Sequence, residues 1–326
     1  MNAARHRLTL ILGSIADLAY FEGRLGLGGI DRELLQRRDP AALEYGNQCM
    51  QRVKQALAER HAGVEVHRLI VGSTLDDQQR CLQLYHESRP HDCVVLGGEN
   101  ATGLLDTYMG YNNTIESDNE RTLFLLGSTS RSAKEFTLSA LQLPVQHSAG
   151  VSSSGRLDSA LEIGMHLMTH PYSSVQLYQE RTLSEALHAA RAASADAVTL
   201  EALEYFQQTG VPVQIAEQFR ESPEPALLCC IYDSLRTLDA FEAALEARGK
   251  IGLAVSRRDT GPSSRDGLIR RLLDSDRGYE RILQTRPECG INLAALATQI
   301  LGFHDPELRQ RQQVVFDAHR KPPMSV

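Results

Sequence analysis

Three polar turns, each following an apolar run, hold the residues of this chain best suited to chemistry. Leu8–Asp17 reads LTLILGSIAD, Val66–Thr74 reads VHRLIVGST and Arg121–Ser130 reads RTLFLLGSTS. Each run ends in Gly-Ser: Gly13-Ser14, Gly72-Ser73-Thr74 and Gly127-Ser128-Thr129-Ser130. A fourth run, Cys93–Gly98, opens into Glu99-Asn100. Glycines admit a ligand close to the backbone, and hydroxyls and amides bond its polar atoms. Asp17, Glu99 and Ser73 are the candidates for polar or proton-handling work, and burial that raised the pKa of Glu99 would make it a general base. Arg131 and Lys134 follow the third turn. With Ser128, Thr129 and Ser130 they form an anion site of backbone N–H groups, hydroxyls and two cations, or else a Ser/Thr helix cap with surface charges.

These residues need a scaffold, and the hydrophobic pattern supplies an α/β one. Apolar runs of four to six residues suit buried parallel strands, and they alternate with segments of helical period. Helices are expected after Asp39-Pro40, over Leu75–Glu87, in LLDTYMGY, and over Leu157–Thr169. In the second half, Ser174–Tyr178, the run from Val211, ALLCCIY and IGLAV are strand-like. Leu183–Ala193, Leu200–Thr209, DSLRTLDAFEAALEARG and Asn292–Leu301 are helical. Asn292–Leu301 is apolar nearly all round, which calls for burial or for contact with another subunit. In an open parallel sheet ligands bind at the carboxyl ends of the strands, where these Gly-Ser turns fall. QHSAGVSSSG, rich in Ser and Gly, marks a boundary.

Other motifs carry less. FEGRLGLGGIDRELLQRRDP lacks GxxxxGK[ST] and a well-placed GxGxxG, so it reads as a loop or lid rather than a phosphate loop. His166 and His170 stand at i and i+4, but Leu-Met-Thr lies between His166 and His170, so HExxH is missing and no metal is expected. The six cysteines show no CxxC spacing, and Cys93, Cys229 and Cys230 sit in apolar runs as small hydrophobes. Arg257, Arg258, Asp259 and Ser263–Arg265 form a second basic, hydroxyl-rich stretch. A net charge of −7 with no basic block argues against nucleic acid. The first apolar run stops at Leu12 and no run of 18 apolar residues occurs, so the reading is cytoplasmic with no membrane partner.

GINLAALATQILGFHDPELRQRQ (Gly290–Gln312) resembles the C-terminal segment of phosphoribosylaminoimidazole carboxylases and carboxyaminoimidazole ribonucleotide mutases. Gly13-Ser14-Ile15-Ala16-Asp17 is similar to that family's GSxSD turn, which holds the nucleotide substrate, and Asp266-Gly267-Leu268 falls where its LDSLL motif would be. The resemblance implies two flavodoxin-like (Rossmann-like) units with parallel sheets, a diverged tandem duplication. They would span 1–155 and 172–326, with a connecting helix at 156–171. It also implies a symmetric homo-oligomer. The family's second-strand turn carries a histidine where Val71–Thr74 read Val-Gly-Ser-Thr, and its third-strand histidine would fall near Gly103.

The expected function is therefore lyase- or isomerase-type chemistry on a phosphorylated, nucleotide-like small molecule, without the family's histidines and without a cofactor. Asp17, Glu99 and Ser73 would be catalytic. Gly13, Ser14, Gly72, Thr74, Gly98, Asn100, Gly127, Ser128, Thr129, Ser130, Arg131 and Lys134 would bind substrate. Two alternatives stand beside it. One is a non-catalytic binding or regulatory protein. The other is a phosphoryl transferase, because LSEALHAARAASADAVTLEALEYFQQTGVPVQI resembles part of the aspartokinase catalytic domain.

Overall fold

In the strand His6–Leu12 (β1), every residue from Leu8 onward is buried. A strand covered on both faces requires layers on both sides of its sheet, the condition of parallel α/β architecture. The computed structural model describes residues 6–12, 14–37, 39–61, 64–71, 93–97, 123–127, 151–153, 157–179, 197–216, 225–257, 281–285 and 288–319. Helices expected at Leu75–Glu87, LLDTYMGY and Leu183–Ala193 lie outside these residues. The chain divides into two units: Met1–Ala140 with Ser153–Thr169, and Leu141–Ser152 with His170–Val326.

In the first unit β1 lies between β2 (Val64–Val71) and β3 (Cys93–Gly97), and β3 pairs with β4 (Leu123–Gly127), all in parallel. A short strand, β5 (Val151–Ser153), falls in the Ser/Gly-rich boundary stretch. Helices α1 (Ile15–Leu25), α2 (Arg32–Gln36) and α3 (Pro40–Arg60) follow β1. Helix α3 starts as its sequence demands: Asp39 accepts the Ala42 N–H at 2.8 Å, and Pro40 occupies the first turn. Its buried stripe, Ala42, Cys49, Val53 and Leu57, packs on α1 and β2. The buried Glu22 of α1 accepts both Nε and Nη2 of Arg52 on α3, at 3.0 and 2.6 Å. That contact holds the Arg52 guanidinium above its usual pKa.

The Gly-rich stretch differs from a simple loop. Its first residues finish α1, Gly26 closes that helix at φ 73°, and the Leu27 N–H reaches back to the Glu22 carbonyl at 3.0 Å. Asp31 then caps α2 through the Leu34 N–H at 3.0 Å. The segment thus sits at a helix C-terminus, where carbonyls point outward and anions are disfavoured. Helix α4 (Leu157–Thr169) packs on β2, β3 and β4, and its Glu162 lies 3.5 Å from His61 at the end of α3.

The second unit contains β6 (Ser174–Gln179), α5 (Ala197–Thr209), β7 (Val213–Ala216), β8 (Ala226–Tyr232), α6 (Leu235–Glu246), β9 (Gly252–Ser256), β10 (Ile282–Gln284), α7 (Gly290–Leu301) and α8 (Pro306–His319). Its strands are parallel in the order β7-β6-β8-β9-β10. Numbered within each unit, the orders are 2-1-3-4 and 2-1-3-4-5, a doubly wound, Rossmann-like arrangement. Leu228, Cys230 and Tyr232 of β8 pack with Leu238, Phe241 and Leu245 of α6. Burying each of those helix side chains is worth about 1.5–3 kcal/mol. Leu227, Cys229 and Ile231 point to the opposite face by strand alternation and are also buried.

The largely apolar α7 is buried within its own chain except at Ile291. It packs on β8 and β9, on α5, and on α8. Gly290 permits the closest contact, because a Cβ there would stand 1.8 Å from the Val198 carbonyl oxygen. Cys289 gives α7 no side-chain cap, and Glu201 of α5 accepts the Gly290 N–H at 3.0 Å instead. Helix α8 buries Leu308, Gln312 and Val315 and donates from Gln312 Nε2 to the Ala295 carbonyl at 2.9 Å. Arg309 donates to the carbonyls of Gly302 and Phe303 beyond the end of α7. Arg311 bonds the Thr209 carbonyl at the end of α5, at 2.8 Å. Cations at helix C-termini are favourable on dipole grounds as well.

Two outcomes follow from this packing. Gly290→Ala should lower unfolding free energy in denaturant titration by about 3 kcal/mol, the upper part of the usual overpacking range, because a backbone carbonyl cannot swing aside. Cys49, Cys93, Cys229 and Cys230 are buried, and burial pushes the Cys229 thiol far up in pKa. Native-state thiol labelling followed by peptide mass analysis should therefore modify half-buried Cys289 before those four.

Candidate functional site

The last residues of the first unit's strands are register neighbours. Leu12 pairs with Val71 and with Gly97, and Gly97 pairs with Gly127. The chain therefore leaves β2, β1, β3 and β4 in one row at the carboxyl edge. The order 2-1-3-4 reverses between β1 and β3, where ligand crevices of open α/β sheets form.

Of the candidate site residues, Ser14, Asp17 and Gly127 are among those described. Gly127 ends β4. Gly13, Gly72, Ser73, Thr74, Gly98, Glu99, Asn100, Ser128, Thr129, Ser130, Arg131 and Lys134 lie outside the described residues. Ser14 is half-buried in extended backbone, φ −157°, and forms the N-cap of α1. Its Oγ donates to Asp17 Oδ2 at 2.8 Å and accepts the Asp17 N–H at 3.3 Å. Asp17 is 1% exposed. A carboxylate in the first turn offsets the positive end of the helix dipole, so the pair is a reciprocal cap set at the carboxyl edge.

The second unit gathers polar residues at the same edge of its own sheet, and the sequence reading singled out only part of them. Asp233 and Ser234 follow β8, Arg257 follows β9, and Thr285 follows β10. Arg257 Nη1 donates to Asp233 Oδ2 at 3.0 Å, with the two side chains 2% and 7% exposed. Ser234 caps α6 by accepting the Thr237 N–H at 3.3 Å, and its hydroxyl lies 3.0 Å from that of Thr237. The backbone joins the edge across strands: Arg257 N–H to the Tyr232 carbonyl at 2.9 Å, and Glu288 N–H to the Ser256 carbonyl at 2.8 Å. Glu288 adopts φ 57°, the left-handed conformation, which is unusual outside glycine. Arg257 was visible in sequence as part of a basic stretch. Its partner was not, because pairing needs β8 beside β9. Arg258, Asp259 and Ser263–Arg265 lie outside the described residues.

Among the described residues no group of three or more His, Cys, Asp or Glu side chains could hold a metal ion. His166 lies in the last turn of α4, while His170 falls beyond its end at Thr169, so the two do not share a helical face. No described helix is long and apolar enough to cross a membrane.

Breaking a buried ion pair from one side leaves an uncompensated charge, which costs about 3–5 kcal/mol. Asp233→Leu and Arg257→Met should each destabilise the chain by about that amount. The double variant should lose clearly less than their sum, a coupling read from a double-mutant cycle by chemical denaturation. Compared with known proteins, the chain matches no family model and no curated protein.

Proposed function

We propose that this protein is an enzyme acting on a phosphorylated, nucleotide-like small molecule at the carboxyl edge of its first unit. The observation that supports this reading is the row of strand ends Val71, Leu12, Gly97 and Gly127. In sequence, the three Gly-Ser turns and Glu99-Asn100 follow directly from that row. Asp17, Glu99 and Ser73 are proposed for acid–base work, and Ser128–Ser130, Arg131 and Lys134 for the phosphate. The matching strand orders of the two units support a flavodoxin-like pair derived by duplication, the arrangement implied by the resemblance to aminoimidazole ribonucleotide carboxylases. Lyase or isomerase chemistry is the reaction class proposed.

A non-catalytic binding protein is the second reading. The observation favouring it is that Asp17 is engaged as a helix cap with 1% exposure, which suits positioning better than proton transfer.

Thermal-shift titration against ribonucleotides, aminoimidazole ribonucleotides, sugar phosphates, amino acids and Mg-ATP tests the proposal. A ligand at 100 times its Kd adds about 2.7 kcal/mol, a Tm rise of about 4 °C if the whole chain unfolds as one unit. A ribonucleotide response with turnover of the same compound supports the enzyme, whereas a response without turnover supports the binding protein. A response to Mg-ATP alone points to phosphoryl transfer instead. No response across the panel overturns the proposal.

A further inference from the structure

We draw no further inference here: the strongest candidate, the Asp233–Arg257 pair beside the Ser234 cap at the carboxyl edge of the second unit's sheet, is almost wholly shut off from water with its members bonded to each other, so it amounts to a buried ion pair and a helix N-terminus with no observation that points to a ligand.

Discussion

Parallel pairing is the constraint from which the rest of this molecule follows. Each strand pairing described within the two units is parallel, so the chain must return to the starting end before each of those strands. In parallel α/β proteins such crossovers run along the faces of the sheet and bury the strands on both sides. Within each unit the paired strands are then exited at one edge. Polar residues excluded from the strand interiors collect there, which is why Ser14 and Asp17 in one unit, and Asp233, Ser234, Arg257 and Thr285 in the other, all lie just past a strand end.

The two units handle this edge by different chemistry. In the first, β3 and β4 end in glycine, and the turn after β1 neutralises its helix start with Asp17. In the second, β8 and β9 are joined at their ends by the Asp233–Arg257 pair, almost wholly removed from water. Such a pair gains little net stability over apolar residues of similar volume, since desolvation offsets most of the attraction. What it does supply is a fixed geometry, because either member alone would be an unmatched buried charge. The unit containing it is closed by its C-terminal helix, whose Arg309 and Arg311 bond the carbonyls at the ends of α7 and α5.

Helix caps show how local and distant interactions divide. Asp39, Asp31, Ser14 and Ser234 each accept an N–H from three residues ahead, so the four helix starts are encoded within a few residues of sequence. Helix α7 has no such signal at Cys289, and its first N–H is met by Glu201, 89 residues earlier in the chain. The same helix shows why an apolar surface alone does not identify a subunit contact. Its composition is explained by packing on two strands and two helices of its own chain.

The sequence by itself determined the α/β class, the longer strands, the starts of several helices and the strand ends at which polar turns fall, because hydrophobic period and capping chemistry act over a few residues. The short strands β5 and β10 and the helices α1 and α2 were not read from it. Ser14 and Asp17 were legible as site candidates from a Gly-Ser turn after an apolar strand. That the Ser14 proton points to Asp17 was not, since hydroxyl direction depends on the folded turn. Only the tertiary structure decided the register that aligns Leu12, Gly97 and Gly127. It also decided the meeting of Asp233 with Arg257, 24 residues apart, and the close seat of Gly290 on Val198. Those contacts join residues whose separation in the chain carries no periodic signal, and they exist because parallel strands and packed helices bring distant segments to one place.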